Sequence, residues 1–200
     1  MTADYTYLFY TLERVPNAHA ALAAQLKSAA THVEGAELVG QFGPQLGWAN
    51  NEAAVLLRHL EGRGGVFSAS SVASAVRLEM LEPTVRPADG DLPAPGGIYV
   101  HRWFEVEAGA VDVFVALSAQ GWESFEALFD ARIFGLFRAH PTDADREAGV
   151  ARLLLLTRYG DHGVWEASRD PTTEAMQVFA RRAQLTRRSW AASSRLVQPA

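Results

Sequence analysis

The chain contains no cysteine. That excludes disulfides, thiolate metal centres and a cysteine nucleophile, and it fits a cytoplasmic protein. Lysine is nearly missing too: Lys27 stands alone, and every other cationic side chain of the Lys/Arg type is arginine. With 18 basic against 23 acidic residues the formal net charge is −5. The basic footprint of a nonspecific nucleic-acid binder is therefore lacking, and no nucleic-acid partner is expected. No apolar run approaches the roughly 20 residues of a membrane helix. Met1-Thr2-Ala3-Asp4-Tyr5 has neither the basic nor the apolar region of a signal peptide, so no membrane partner is expected either. The motifs G-x-S-x-G, H-E-x-x-H and the Walker loop are absent. Gly62-Arg63-Gly64-Gly65 is glycine-rich but lacks the spacing and the following helix of a dinucleotide site.

What is present is an ordinary globular composition, 48% hydrophobic and 20% charged over 200 residues. That length suits one large domain or two of about 100 residues. The chain also reads as one unit written twice. Tyr7–Glu13 matches Tyr99–Glu105, Ala36–Phe42 matches Ala131–Phe137, and Val55–Leu60 matches Leu154–Tyr159. The shift grows from 92 (7 to 99) through 95 (36 to 131) to 99 (55 to 154), as short loop insertions would produce. Internal repetition of this kind sets the architecture before any single residue is interpreted.

Between the copies, Pro83–Gly97 carries four prolines and three glycines, which neither a helix nor a central strand can sustain. The division expected is a first unit over 1–87, a linker over 88–97 and a second unit over 98–200. In the first unit, Asp4–Arg14 reads as a strand broken by Pro16. A helix capped by Asn17 follows, carries Leu22, Leu26 and Val33, and ends at Gly35. Strands are expected near Glu37–Leu46 and Glu52–Glu61, then a short helix near Ser70–Ala75 and a strand near Arg77–Val85. In the second unit, Ile98–Glu107 reads as a strand, and Val111, Phe114, Ser118, Trp122, Phe125 and Phe129 mark one helical face. Strands follow near Arg132–Ala139 and Val150–Tyr159, separated by a polar loop, 141–147. A last helix begins near Thr172, with Met176, Phe179, Ala183 and Trp190 on its apolar face, and Ser194–Gln198 is the last strand.

Each unit is thus β-α-β-β-α-β, the split ferredoxin-like pattern. The fold class is α+β: two tandem ferredoxin-like units packed sheet to sheet. The run Leu153–Leu156 implies burial on both sheet faces, which two sheets in one chain can supply as an α/β barrel.

The stretch Ile98-Tyr99-Val100-His101-Arg102-Trp103-Phe104-Glu105-Val106-Glu107-Ala108-Gly109, with the amphipathic helix to Phe129, resembles the dimeric α/β-barrel superfamily and, within it, the NIPSNAP-type proteins. Ile133–Phe137 and Trp165-Glu166 are similar to the same pattern. The resemblance covers 97–198 better than 4–87. It implies the barrel fold, within a superfamily that spans cofactor-free monooxygenases, isomerases, dehydratases, haem enzymes and non-catalytic ligand-binding domains. It carries no catalytic residue onto this chain. No cofactor is expected, haem held by a histidine being the one exception the resemblance allows.

Strand alternation supplies the site candidates. Tyr7, Phe9 and Thr11 share a face, as do Tyr99, His101 and Trp103, and these faces are expected to line the space between the sheets. Ile98, Val100, Phe104 and Val106 face the helices, with Arg102 out of pattern among them. His101 is the candidate acid/base, because imidazole titrates near neutrality; the competing reading is a hydrogen-bonded core histidine. Tyr7, Phe9, Tyr99 and Trp103 are candidate substrate contacts or core filling. His59, placed opposite Arg158 in the repeat, is a candidate second polar group in the cavity or a surface residue. Arg158 either holds an acidic substrate group or pairs with a carboxylate such as Glu105. Asp161-His162 lies in a glycine-flanked turn with too few neighbours for a metal. Arg181-Arg182 and Arg187-Arg188 read as the solvated face of the last helix, and the five tryptophans as packing.

Two functions stay open: a cofactor-free monooxygenase- or isomerase-like enzyme acting on a small apolar molecule in the inter-sheet cavity with His101 as base, or a non-catalytic small-molecule-binding or protein-assembly module. Both are compatible with a monomer or a homodimer.

Overall fold

The computed structural model describes residues 4–30, 36–59 and 71–197. The first half runs β1 (Asp4–Leu12), α1 (Ala18–Ala30), β2 (Ala36–Pro44), β3 (Glu52–His59) and β4 (Ala73–Pro83). The second runs β5 (Ile98–Glu107), α2 (Val111–Leu128), β6 (Ala131–Ala139), α3 (Asp143–Ala148), β7 (Val150–Tyr159), α4 (His162–Ala167), α5 (Glu174–Ala183) and β8 (Thr186–Leu196). The strands close into a barrel in the order β1-β3-β2-β8-β5-β7-β6-β4, with β4 returning to β1. Each half contributes its strands in the same order, β4-β1-β3-β2 and β8-β5-β7-β6. The halves join antiparallel through β2–β8 and β4–β6. The expected α+β barrel is present, and one chain closes it, which removes the edges an open sheet would expose.

Alternation sorts the side chains into an interior and two outer layers. Tyr5, Tyr7, Leu56, Tyr99, Trp103, Leu154 and Leu156 fill the interior. Leu8, Tyr10, Val55 and Leu57 point outward and pack under Leu22 and Leu26 of α1. Val100, Phe104, Leu153 and Leu155 pack outward under Phe114, Trp122 and Phe125 of α2. The four-leucine run is buried on both faces, as its composition required.

The register corrects the alignment of the halves. Tyr5 stands opposite Arg58, and Tyr99 opposite Arg158. The equivalent of Tyr99 is therefore Tyr5 rather than Tyr7, and the equivalent of Arg158 is Arg58 rather than His59. The middle match holds: the β2–β3 register shifts between Leu38 and Gly40, and the β6–β7 register between Ile133 and Gly135. Each shift inserts one extra residue, a β-bulge. Both bulges carry glycine where a phenylalanine two residues on folds back. A Cβ on Gly40 would lie 3.1 Å from the Phe42 ring, and one on Gly135 2.7 Å from the Phe137 ring.

Other expectations are revised. Ser71 and Val72 form a turn and the chain is already strand from Ala73, so the helix near Ser70–Ala75 does not form over its described part; β4 zips onto β1 from Ala73 to Leu81 instead. The polar loop 141–147 contains α3, started by a capping box in which Thr142 Oγ1 accepts from Asp145 N–H at 3.2 Å and Asp145 accepts from Thr142 N–H at 2.8 Å. Asp161 caps α4 by accepting from Val164 N–H at 2.8 Å. The last strand begins at Thr186, because β8 pairs with β5 along its length, so Trp190, Arg187 and Arg188 belong to the strand and not to the last helix. Val33, Gly35 and Gly62-Arg63-Gly64-Gly65 lie outside the described residues. The proline-rich stretch is fastened to the barrel end: Leu136 N–H donates to Arg86 O at 3.0 Å, and the Tyr99 hydroxyl donates to Ala94 O at 2.6 Å. No helix among the described residues is long and apolar enough to cross a membrane.

Candidate functional site

The barrel interior is organised around His101, which is 1% exposed. Its Nδ1 lies 3.0 Å from the Tyr7 hydroxyl, and its Nε2 2.8 Å from Ser194 Oγ. Ser194 Oγ lies 3.3 Å from Tyr99 O, a carbonyl that can only accept. Following the protons back from that carbonyl fixes the chain. Ser194 donates to Tyr99 O, His101 Nε2–H donates to Ser194, and the Tyr7 phenol donates to Nδ1. Every member is satisfied with a neutral imidazole. Burial lowers the His101 pKa to about 3, and burial likewise raises that of Tyr7.

Rings fill the space around this chain. Phe42 meets His101 edge-on at 4.9 Å, and Trp48 meets His101 at a tilt at 5.0 Å. Tyr7 meets Trp103 edge-on at 5.9 Å, and Phe9 meets Trp48 at 5.4 Å. Trp103 stacks on Trp190 at 6.4 Å. Tyr7, Phe9, Tyr99, His101 and Trp103 thus converge in the interior as alternation predicted, and they pack against one another.

His59 does not join them. It shares the outward parity of Val55 and Leu57, and its Nε2 lies 2.6 Å from the hydroxyl of outward-facing Thr6. A one-residue slip in the alignment exchanges the two faces of a strand, and Arg58 takes the inward position. Arg58 is held by Glu37. Arg158 sits at the same barrel end beside Tyr99, and its partner is Asp130 at 2.5 Å. Glu105 cannot serve: it is six residues along β5 from Tyr99, about 20 Å at the usual strand rise.

A hollow of about 560 Å³ opens elsewhere, on the outer face of the second half between β5–β7 and α5. Its walls include Phe104, Trp122, Phe125 and Phe179, and two of its polar groups are Arg102 and Arg182. Helix packing shapes it. A Cβ on Gly121 would lie 2.5 Å from the Phe179 ring, so glycine at this point of α2 lets α5 approach. Arg182 was expected in solvent; it is 8% exposed. Its guanidinium lies 4.4 Å from the Phe179 ring centre, 5.0 Å from Phe104 and 5.2 Å from Phe114. Its Nη1 donates to Ser118 Oγ at 3.2 Å. Burial, then the charge of Arg102, lower its pKa to about 10. Burial also lowers Arg102, and burial raises the nearby Tyr159. Arg102 was the visible signal, a cation on an aliphatic strand face. Arg182 had none, since helical spacing did not separate it from its solvated neighbours.

The lining contains no histidine, and both nitrogens of His101 are engaged in a packed interior. A histidine-ligated haem fits neither place.

No family model matches the chain, and no curated protein matches it in sequence. Solved structures do. An anthrone oxidase-like protein superposes with a TM-score of 0.70 at 13% identity, over 99% of this chain and 92% of its own. A proposed monooxygenase from Fusobacterium nucleatum gives 0.63 at 8% identity, over 98% and 93%. A proposed chlorite dismutase gives 0.56 at 11% identity, over 100% and 96%. The chain shares the α+β barrel fold of these proteins. At these identities the likeness is one of fold, and it extends over the whole barrel rather than one half.

Proposed function

We propose that this dimeric α/β-barrel protein is a monooxygenase-like enzyme that oxidises a small, flat, largely apolar molecule with dioxygen and no cofactor. The hollow between β5–β7 and α5 is the site in this reading. The observation that carries it is the combination found there: about 560 Å³ with aromatic walls and two largely buried arginines. Ligand sites have that size and that mixture of apolar wall and few polar groups. Around His101 the rings of Tyr7, Phe42 and Trp48 lie in contact and both ring nitrogens are engaged, so in this reading His101 is a structural hub and the chemistry moves outward.

Anthrone-type oxidation balances without a cofactor. The ring methylene loses a proton to water, leaving an aromatic enolate. The enolate gives electrons to dioxygen, and a C–O bond forms as a peroxide. Water returns a proton to the peroxide. The carbon's remaining hydrogen is then lost as a proton while the O–O bond breaks, the carbonyl forms and the departing hydroxide takes up that proton to leave as water. The chain's part is to hold the flat ring and stabilise the enolate charge, which Arg102 does electrostatically. The NIPSNAP-type pattern of β5 adds no functional residue to this scheme.

Dioxygen uptake with anthrone as probe tests it, with quinone appearance followed spectroscopically. Uptake lowered at least about tenfold by Arg102→Met, and kept in His101→Gln, supports the reading. Absence of uptake, or uptake lost only in the His101 variant, overturns it. Binding without uptake favours the non-catalytic module.

A further inference from the structure

Among the described residues, buried and half-buried arginines are paired with carboxylates, with two exceptions. Arg58 has Glu37, Arg152 has Glu79 and Asp145, and Arg158 has Asp130. Arg102 and Arg182 have no carboxylate partner among the described residues, and no aspartate or glutamate lines the hollow they share. Arg187, at its rim, is already held by Glu107.

That arrangement is costly. A cation removed from water without a counter-charge loses hydration that ring faces and one serine hydroxyl restore only in part. Two such cations in one low-dielectric hollow also repel each other, and the charge of Arg102 contributes to the lowered pKa of Arg182. A negative ligand would relieve both penalties at once. Guanidinium groups present planar donor forks that match a carboxylate, and the surrounding walls are rings.

We infer that the hollow takes its small molecule as an aromatic carboxylate, its charge held by Arg102 and Arg182 and its ring laid among Phe104, Trp122, Phe125 and Phe179. This rests on the hollow being the substrate site proposed above, and it names the substrate class.

The test compares 2-naphthoate with the near-isosteric neutral 2-naphthamide by titration calorimetry on the whole chain. The acid should bind at least about tenfold more tightly. Arg102→Met should erase that preference and Arg102→Lys should keep part of it. Equal affinity for the two probes, no binding of either, or a preference that survives Arg102→Met overturns the inference. The comparison on the unmodified protein decides even if a variant does not fold. The two proposals fail separately. Anthrone turnover without acid preference removes only the carboxylate inference, whereas acid preference without dioxygen uptake removes only the oxygenase.

Discussion

Tyr7 of β1 and His101 of β5 are 94 residues apart in sequence, yet the Tyr7 phenol donates to His101 Nδ1 at 3.0 Å across the barrel. Equivalent positions of the two halves are thus joined directly. The bond requires a neutral imidazole, because a doubly protonated ring has no acceptor to offer.

A pH dependence of stability follows. The folded-state pKa of His101 is about 3, against an unfolded value of 6.5. Below 6.5 the unfolded chain binds a proton that the folded chain refuses, so stability rises with pH across that window. It is fully present above 6.5 and is lost as the pH falls towards 3. One proton corresponds to roughly 1.4 kcal/mol per pH unit. Urea unfolding at pH 6 and pH 4 should show a slope of that order, and His101→Gln should flatten it. An unchanged slope in the variant would assign the acid sensitivity to carboxylates instead.

Packing of α5 on α2 gives a second expectation. Gly121→Ala places a Cβ 2.5 Å from the Phe179 ring, and overpacking of this kind costs about 1–3 kcal/mol. Phe179→Leu frees the space, so the double variant should be less destabilised than the sum of the singles. Chemical denaturation of the four proteins measures the coupling; strict additivity would mean that the two residues do not meet.

How far the sequence led depended on which force sets each element. Strands β5 and β7 were legible to the residue because alternation in Ile98–Glu107 and the leucine run in Val150–Tyr159 are local signals. Strands β4 and β8 were not. Ala73–Arg77 and Thr186–Trp190 carry no clear period, and pairing with β1 and β5 imposes their conformation. The bulges at Val39 and Phe134 occupy equivalent places and keep the two halves in step. The unbroken apolar runs of β3 and β7 carry no mark of parity, so sequence alone aligns Val55–Leu60 with Leu154–Tyr159 one residue out and puts His59 in the place that belongs to Arg58. The inward ring set was readable from parity. That it fills the barrel was not, since parity gives direction and says nothing of volume.

The capping box of α3 offers a test of a motif the polar composition concealed. Thr142→Ala removes the acceptor for Asp145 N–H and should cost about 1 kcal/mol. Asp145→Asn should cost more, because Asp145 also receives Arg152 at 3.1 Å while Arg152 reaches Glu79 at 2.8 Å. Burial pushes the Asp145 carboxyl up, but the Thr142 bonds and Arg152 outweigh it and hold the carboxyl below the usual range. Its contribution is present above the unfolded carboxylate pKa and fades as the pH falls below it. The difference between Asp145→Asn and the unmodified protein in thermal melts should therefore shrink in acid; a constant difference would place the effect in helix propensity alone.

Arg182 separates stability from function. It is buried among three rings with one serine as its polar partner. Methionine is shorter but likewise unbranched and flexible, makes favourable sulfur–aromatic contacts and needs no hydration. Replacing a buried charge by an apolar side chain of similar volume is often neutral or stabilising by about 1–4 kcal/mol. Arg182→Met should therefore melt at or above the temperature of the unmodified protein, and Arg182→Ala below it, because alanine leaves a cavity. Both should weaken 2-naphthoate binding. A residue kept only for packing would give the same melts and leave binding unmoved, so the calorimetric titration decides between the two roles. If Arg182→Met both binds and melts like the unmodified chain, the guanidinium has no task in the hollow. If it melts higher and binds less, the buried charge is maintained against stability by what it binds.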